Sequence, residues 1–360
     1  MTTAASVGSE HQVDAPPLLC PTTSGEMHQQ PRVVQVGSWL TPQDLADVAI
    51  GHALVGVADG VRDRLATARA VVDQALAAGT PTYGLNRGLG PLRDSTIPDE
   101  LMADFQRFVI LSHSAAIGPP LARIESRATL LARLNTLAAG ASGASPALFE
   151  GLLALLQRDV IPVIPDQGSV GAADLSQLAA IGQVLLGSGQ AWLPGQDRIA
   201  SGAQALDAGG LAPVRLGAKD ALALVGSNAL SVATAALAQR RAGLVAERAD
   251  LVAALTLEAI GANLSPFDAR VLAARPHAGQ QVSGRRIRDV LEGGDLAAGL
   301  RPSETLQDPI SLRTVPQVHG ALVDLLDDLE RMLVVELNCA PDNPSLDTER
   351  GIFLSNGNFS

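Results

Sequence analysis

Apolar residues Val61, Leu65, Ala68, Val72 and Leu76 recur every three or four positions, the spacing of one face of an α-helix. Gly79-Thr80-Pro81 stops that run. Upstream, Arg32 to Val36 reads as a short strand. Thr41-Pro42 reads as an N-cap and first helical position, opening a helix near Gln43. Downstream, the same spacing predicts a helix through Leu101, Phe105, Phe108, Val109 and Ser112, and another over about 122–138. A third runs from the loop 140–146 to Arg158. Val160-Ile161-Pro162-Val163-Ile164-Pro165 holds too much proline for a helix and reads as an extended connector. A further helix starts near Asp174, with Leu175, Leu178, Ile181 and Leu185 on one face. Residues 195–213 read as a glycine-bearing turn region with a small hairpin. Beyond Lys219, long apolar-periodic stretches cover 221–262 and 318–337, and Leu322, Leu325, Leu329 and Met332 or Leu333 form a seam in the second. These look like the staves of a bundle.

Composition sharpens this into a helical protein. Hydrophobic residues make up 47% of the 360 positions and aromatics only 2%, so Ala, Leu and Val must build the core, and Ala and Leu favour helix. Residues 1–31, rich in Ser, Thr, Pro, Gly and Gln and without a period, predict a disordered tail. The remainder is expected to divide into an N-terminal domain, 32–200, and a central helical-bundle domain, 201–360. The net charge of −11 disfavours nucleic acid and anionic membranes as partners, because both need a basic surface. No uncharged run of about 18 apolar residues is seen, and the start lacks a secretory pattern. A soluble, cytoplasmic protein is expected. Two distant cysteines, Cys20 and Cys339, make neither a disulfide framework nor a zinc site, and no metal is expected.

The candidate chemistry sits in short polar and glycine-rich segments. They are Tyr83-Gly84-Leu85-Asn86-Arg87-Gly88-Leu89-Gly90, Leu111-Ser112-His113-Ser114-Ala115, Gly168-Ser169-Val170-Gly171 with Asp174-Leu175, and Gln307 to Arg313 with Pro316-Gln317-Val318-His319-Gly320. Asn338 with Asp342-Asn343-Pro344, and Gly357-Asn358-Phe359, follow. In this order they resemble the aromatic amino-acid ammonia-lyases of the histidine/phenylalanine type, over roughly 33–360. The first segment, for example, is similar to that family's Tyr-Gly-Ile-Asn-Thr-Gly-Phe-Gly loop. The resemblance implies a mainly α, elongated helical-bundle fold with a smaller mixed N-terminal portion and a shortened C-terminal end. It also implies homotetramers whose active sites draw residues from several subunits.

Residue by residue, Tyr83 matches the family's general base and Arg313 the group that holds the substrate carboxylate. Gln307 matches a pocket amide, His113 the histidine-branch selectivity position, and Phe359 a pocket phenylalanine. The usual pocket asparagine falls on Gly226, so Asn228 replaces it only with a shift. The chemistry suits these roles. A guanidinium fork binds carboxylate in two places, while a phenol with a pKa of about 10 must have that value lowered, or its proton relayed, to act near neutrality. Each residue also has a plainer reading: Tyr83 as a packing lid, Arg313 in an ion pair, Gln307 as a helix cap, His113 and Phe359 as core groups. His319 reads as structural.

The departures matter as much. The family cyclises an internal Ala-Ser-Gly into a methylidene-imidazolone, which needs a serine hydroxyl to lose and an unhindered glycine nitrogen to attack. This chain reads Gly171-Ala172-Ala173-Asp174 there, so no such cofactor is expected. Ala141-Ser142-Gly143 spells the tripeptide but aligns with a turn ahead of a helix. The family's signature tyrosine is Ile310 here, and family members continue past the position of Ser360 with helices that carry a pocket glutamate. Three functions follow as expectations. One is acid/base chemistry on a small aromatic or amino-acid-derived carboxylate in a homo-oligomer. Another is a non-catalytic subunit pairing with a lyase-like chain. The last is a conventional histidine-type lyase.

Overall fold

Local signals in the sequence set several helix starts. Thr41 Oγ1 accepts from the Asp44 backbone N–H while the Asp44 carboxylate accepts from the Thr41 N–H, a capping box. Ser145 Oγ likewise caps the helix opening at Pro146. A computed structural model describes residues 31–300, 303 and 305–357. The expected tail, apart from Pro31, lies outside these residues, as do Cys20 and Phe359. The helices are α1 Pro42–Ala49, α2 Val61–Ala77, α3 Met102–His113, α4 Arg123–Leu137, α5 Pro146–Gln157, α6 Leu175–Leu185, α7 Gly202–Ala208, α8 Asp220–Val225, α9 Ala229–Ile260, α10 Ala269–Ala273, α11 Ala278–Leu291, α12 Ile310–Arg313 and α13 Val315–Leu337. The strands are short: β1 Arg32–Val36, β2 Ala53–Val57, β3 Ile117–Pro120, β4 Ile161–Pro162, β5 Pro165–Gln167, β6 Gln190–Trp192, β7 Ile199–Ser201, β8 Ser345–Asp347 and β9 Ile352–Leu354.

The small sheets trim the N-terminal portion. β1 and β2 run parallel, with α1 as the crossover. β3 pairs with β5, and β6–β7 form a hairpin with β4 on the other edge of β6; of the expected turn region 195–213 only the turn and second strand belong to that hairpin, and 202–208 is α7. One core cluster draws on α1, α4, α5, α6, α8, α9 and the end of α13, so it runs straight across the expected boundary at residue 200. From Arg32 onward the chain forms one compact unit.

Two expectations about the long helices need correction. The apolar run expected from 221 to 262 is broken at Gly226-Ser227-Asn228 into α8 and α9. The side chain that caps the new start comes from elsewhere: the Asp174 carboxylate accepts from the Ser231 backbone N–H and from Ser231 Oγ. In α13 the buried seam keeps Leu333 and the partly buried Leu329 of the expected one and otherwise turns to other positions. Val323, Leu326, Leu333 and Leu337 are buried, while Leu322, Leu325 and Met332 are exposed. The helix carries apolar residues on two faces, and periodicity alone does not say which one turns inward. The stretch Asp220–Ile260 also contains an 18-residue window apolar enough to cross a membrane, contrary to the sequence reading, but 78% of that window is buried as in a core helix.

Helices α9, α11 and α13 are clasped by a polar junction. Asp250 Oδ1 accepts from Ser283 Oγ at 2.6 Å and from His319 Nδ1 at 2.8 Å, which gives His319 the structural role expected for it. Beside it, a Cβ on Gly320 would lie 2.3 Å from the Gln280 nitrogen, so only glycine lets α13 approach α11 this closely. A second buried cluster sits under the 141–145 turn. Arg133 pairs with Asp342 at 2.6 Å. Lys219 donates to the Ser142 and Pro344 carbonyls, with Phe353 beneath its ammonium. Burial pushes the Lys219 pKa down to about 8, opposed by Asp342 and Asp220 and reinforced by Arg133.

Candidate active site

The Tyr83 loop is held by its own backbone and by α8. Thr82 O accepts from the amides of Leu85, Asn86 and Arg87, and the buried Asn86 side chain closes the turn onto Thr82 N and Thr80 O. A Cβ on Gly84, whose φ is +68°, would lie 2.3 Å from a Leu222 methyl, so the glycine allows the loop to seat on α8. The Tyr83 hydroxyl accepts from the Gly90 N–H at 3.2 Å and keeps its own proton free to donate.

Three more segments meet at the same end of the bundle. Gln106 on α3 accepts from the Ala221 amide and fixes α3 against α8. At the end of α3, His113 Nδ1 lies 2.8 Å from the Val109 carbonyl. A carbonyl only accepts, so Nδ1 donates in this contact. β3 then leads to its partner β5 and the Gly168–Gly171 loop, where Gly168 packs on Ala116. That loop delivers Ala172, Ala173 and Asp174 to the start of α9. Asp174 N–H donates to the Ser227 carbonyl at 2.8 Å. Burial raises the Asp174 pKa, and its hydrogen bonds from Ser231 oppose the rise. Asn228 Nδ2 donates to Glu336 Oε2 on α13 at 2.8 Å. Tyr83, His113 and Asn228 therefore belong to one end of the bundle.

Gln307 and Arg313 belong to the other. Asp308 Oδ2 accepts from the Asn263 amide at 2.7 Å, and the Leu306 carbonyl accepts from Asn263 Nδ2. These bonds anchor the segment just past the C-terminal end of α9. There Arg313 Nη1 donates to Gln307 Oε1. Helix α9 has 32 residues and at about 1.5 Å per residue is about 48 Å long. Within one chain the carboxylate-binding candidates are thus far from Tyr83 and Asn228.

At the cofactor position, Ala173 stands at φ +62°, a left-handed conformation that costs an L-residue about 1–2 kcal/mol and that glycine adopts freely. Neither Ala172 nor Ala173 bears a hydroxyl. Ser142 in the alternative tripeptide is fully buried; its Oγ accepts from the Ala144 N–H, and the Gly143 nitrogen donates to the Gly140 carbonyl at 3.3 Å. The sequence reading missed a further Ala-Ser-Gly, Ala200-Ser201-Gly202. There Ser201 caps α7 and the Gly202 nitrogen donates to the Gly189 carbonyl at 2.9 Å. Both serines do structural work, and both glycine nitrogens are engaged away from the carbonyl they would have to attack. Asp174 and Glu336, which brace the start of α9, were also not singled out as site residues. Their only sequence signal is a carboxylate beside a pocket motif.

This arrangement of helices and loops is that of the ammonia-lyases. Residues 40–360 match the model of the aromatic amino acid lyase family, and the chain belongs to that family. It is 40% identical over 331 residues to histidine ammonia-lyase of Stigmatella aurantiaca, an alignment covering 92% of this chain and 64% of that protein. Among solved structures, ergothionase from Treponema denticola superposes with a TM-score of 0.86 at 29% identity, covering 91% of this chain and 65% of that one. Histidine ammonia-lyase from Trypanosoma cruzi gives 0.82 at 32% identity, with coverages of 91% and 61%. Tyrosine aminomutase from Streptomyces globisporus gives 0.83 at 33%, with coverages of 91% and 65%. The chain spans about 64% of the length of the curated relatives it matches.

Proposed function

We propose that this chain is a lyase-family protein without the methylidene-imidazolone electrophile, binding a small aromatic or amino-acid-derived carboxylate and acting on it by acid/base chemistry through Tyr83. The observation that carries this reading is the Ala172-Ala173 link into Asp174, which offers neither a hydroxyl to expel nor a glycine nitrogen to close the ring. The residues present do not fit the group. Without it, general acid–base catalysis contributes about 10²–10⁴-fold, against the 10⁶-fold or more typical of enzymes. Isomerisation or proton exchange beside an activating carboxylate suits that range better than expelling ammonia. Relatives on this fold include aminomutases and an ergothioneine-degrading enzyme, which supports chemistry other than simple deamination.

The site is composite. A second copy, running antiparallel, brings Gln307 and Arg313 to the Tyr83 end. Exposed Val252 and Leu255 on α9, and Leu325, Met332 and Val335 on α13, support such an assembly, because monomers rarely expose apolar faces of that extent. A screen of aromatic amino acids and their acrylates by NMR in deuterated water tests the reading. At least one ligand is expected to bind and to take up solvent deuterium, and Tyr83→Phe to keep binding while slowing uptake about 10²-fold. Uptake unchanged in Tyr83→Phe contradicts it. The second reading, a conventional histidine ammonia-lyase, is favoured by the 40% identity across nearly the whole chain. It requires ring closure at a tripeptide the cofactor position does not contain.

A further inference from the structure

Arg87 and Arg313 share a setting. Each is half-buried, and among the described residues the side-chain partner of each is a neutral oxygen: Thr96 Oγ1 for Arg87 and Gln307 Oε1 for Arg313. Neither pairs with a carboxylate among the described residues. The chain holds 37 acidic residues against 26 Lys and Arg, so counter-ions are plentiful, yet among the described residues neither guanidinium pairs with one. Removing a cation from water without an opposite charge is costly, and the cost is recovered when a ligand supplies the anion.

Arg87 is also tied to the acid/base candidate. It stands four residues beyond Tyr83 in the same closed loop, bridged to it through Gly84 N–H donating to the Arg87 carbonyl at 3.1 Å. The lyase loop that this segment resembles has threonine at that position, so the second cation is a feature of this chain.

We propose that Arg87 is a specificity-determining residue that makes the site select ligands with two acidic groups, one held by Arg313 and the other by Arg87. The inference rests on the composite-site reading above and adds the substrate class: a small dicarboxylate, or a carboxylate bearing a second anionic group, in place of a plain aromatic amino acid. A guanidinium fork favours planar, two-point recognition of such a group.

Calorimetric titration of the full-length protein with trans-cinnamate and with 4-carboxycinnamate separates the two claims, since both probes share one skeleton and differ by a single carboxylate. The wild type is expected to bind both, the dicarboxylate about tenfold more tightly, the size expected of one charge-assisted contact. Arg87→Thr is expected to abolish the preference while leaving cinnamate affinity unchanged, and Arg87→Lys to retain part of it. A merely structural role for Arg87 would weaken both probes equally. Equal affinities in the wild type, or a preference that survives in a folded Arg87→Thr protein, overturn the inference and leave the composite site standing. Failure of both probes to bind overturns the composite site as well.

Discussion

Lys219 sits in an environment at odds with its own chemistry. Its ammonium is fully buried, is satisfied by two carbonyls, and shares its surroundings with Arg133, Asp342 and Asp220. Burial lowers its pKa from 10.5 to about 8. Between those two values the folded protein has released a proton that the unfolded chain still binds. The unfolded state then binds more protons, so stability rises with pH across that window. Urea unfolding from pH 8 to 10.5 is expected to show an increase attributable to Lys219, and Lys219→Met to flatten it. A slope unchanged by Lys219→Met contradicts the assignment. None of this is legible from sequence, because Lys219 precedes its helix in an ordinary-looking Ala-Lys-Asp. Its burial depends on Ser142 and Pro344, which are remote in the chain.

Several helix boundaries that depend on neighbouring residues were legible, though not the local Ser201–Gln204 capping box that opens α7. Thr41-Pro42 and Ser145-Pro146 announce α1 and α5, and Gly79 ends α2. The break between α8 and α9 was not, since Leu222, Val225, Leu230 and Ala233 continue the apolar period across it while the side chain that caps the new start, Asp174, lies 57 positions from Ser231. Strand β2 escaped notice for the related reason that five residues, Ala53–Val57, show no alternation and find their partner only through β1. Contact between whole helices is equally non-local. Gly279 and Gly320 look like ordinary helix glycines, yet they set the backbone approach of α11 and α13. Gly320→Ala is expected to destabilise the protein by about 1–3 kcal/mol, the usual cost of overpacking, as read by urea denaturation. A neutral result would show that the two helices separate freely.

At the scale of the whole molecule, the motifs identify the family and its helical fold, but they do not say which of them meet. Tyr83, His113 and Asn228 gather at one end of α9, and Gln307 and Arg313 at the other, because α9 and α13 run antiparallel and lie between them. Sequence order carries no information about that separation. The loss at Ala172-Ala173, by contrast, is legible residue by residue, and the structure adds that Ala173 holds a glycine-like backbone angle there. The proposed chemistry turns on that loss. Intact mass spectrometry of the purified protein measures it directly, since ring closure at any Ala-Ser-Gly removes two water molecules. The expected result is the mass of the unmodified chain. A mass lower by two waters would contradict it and establish the conventional lyase reading.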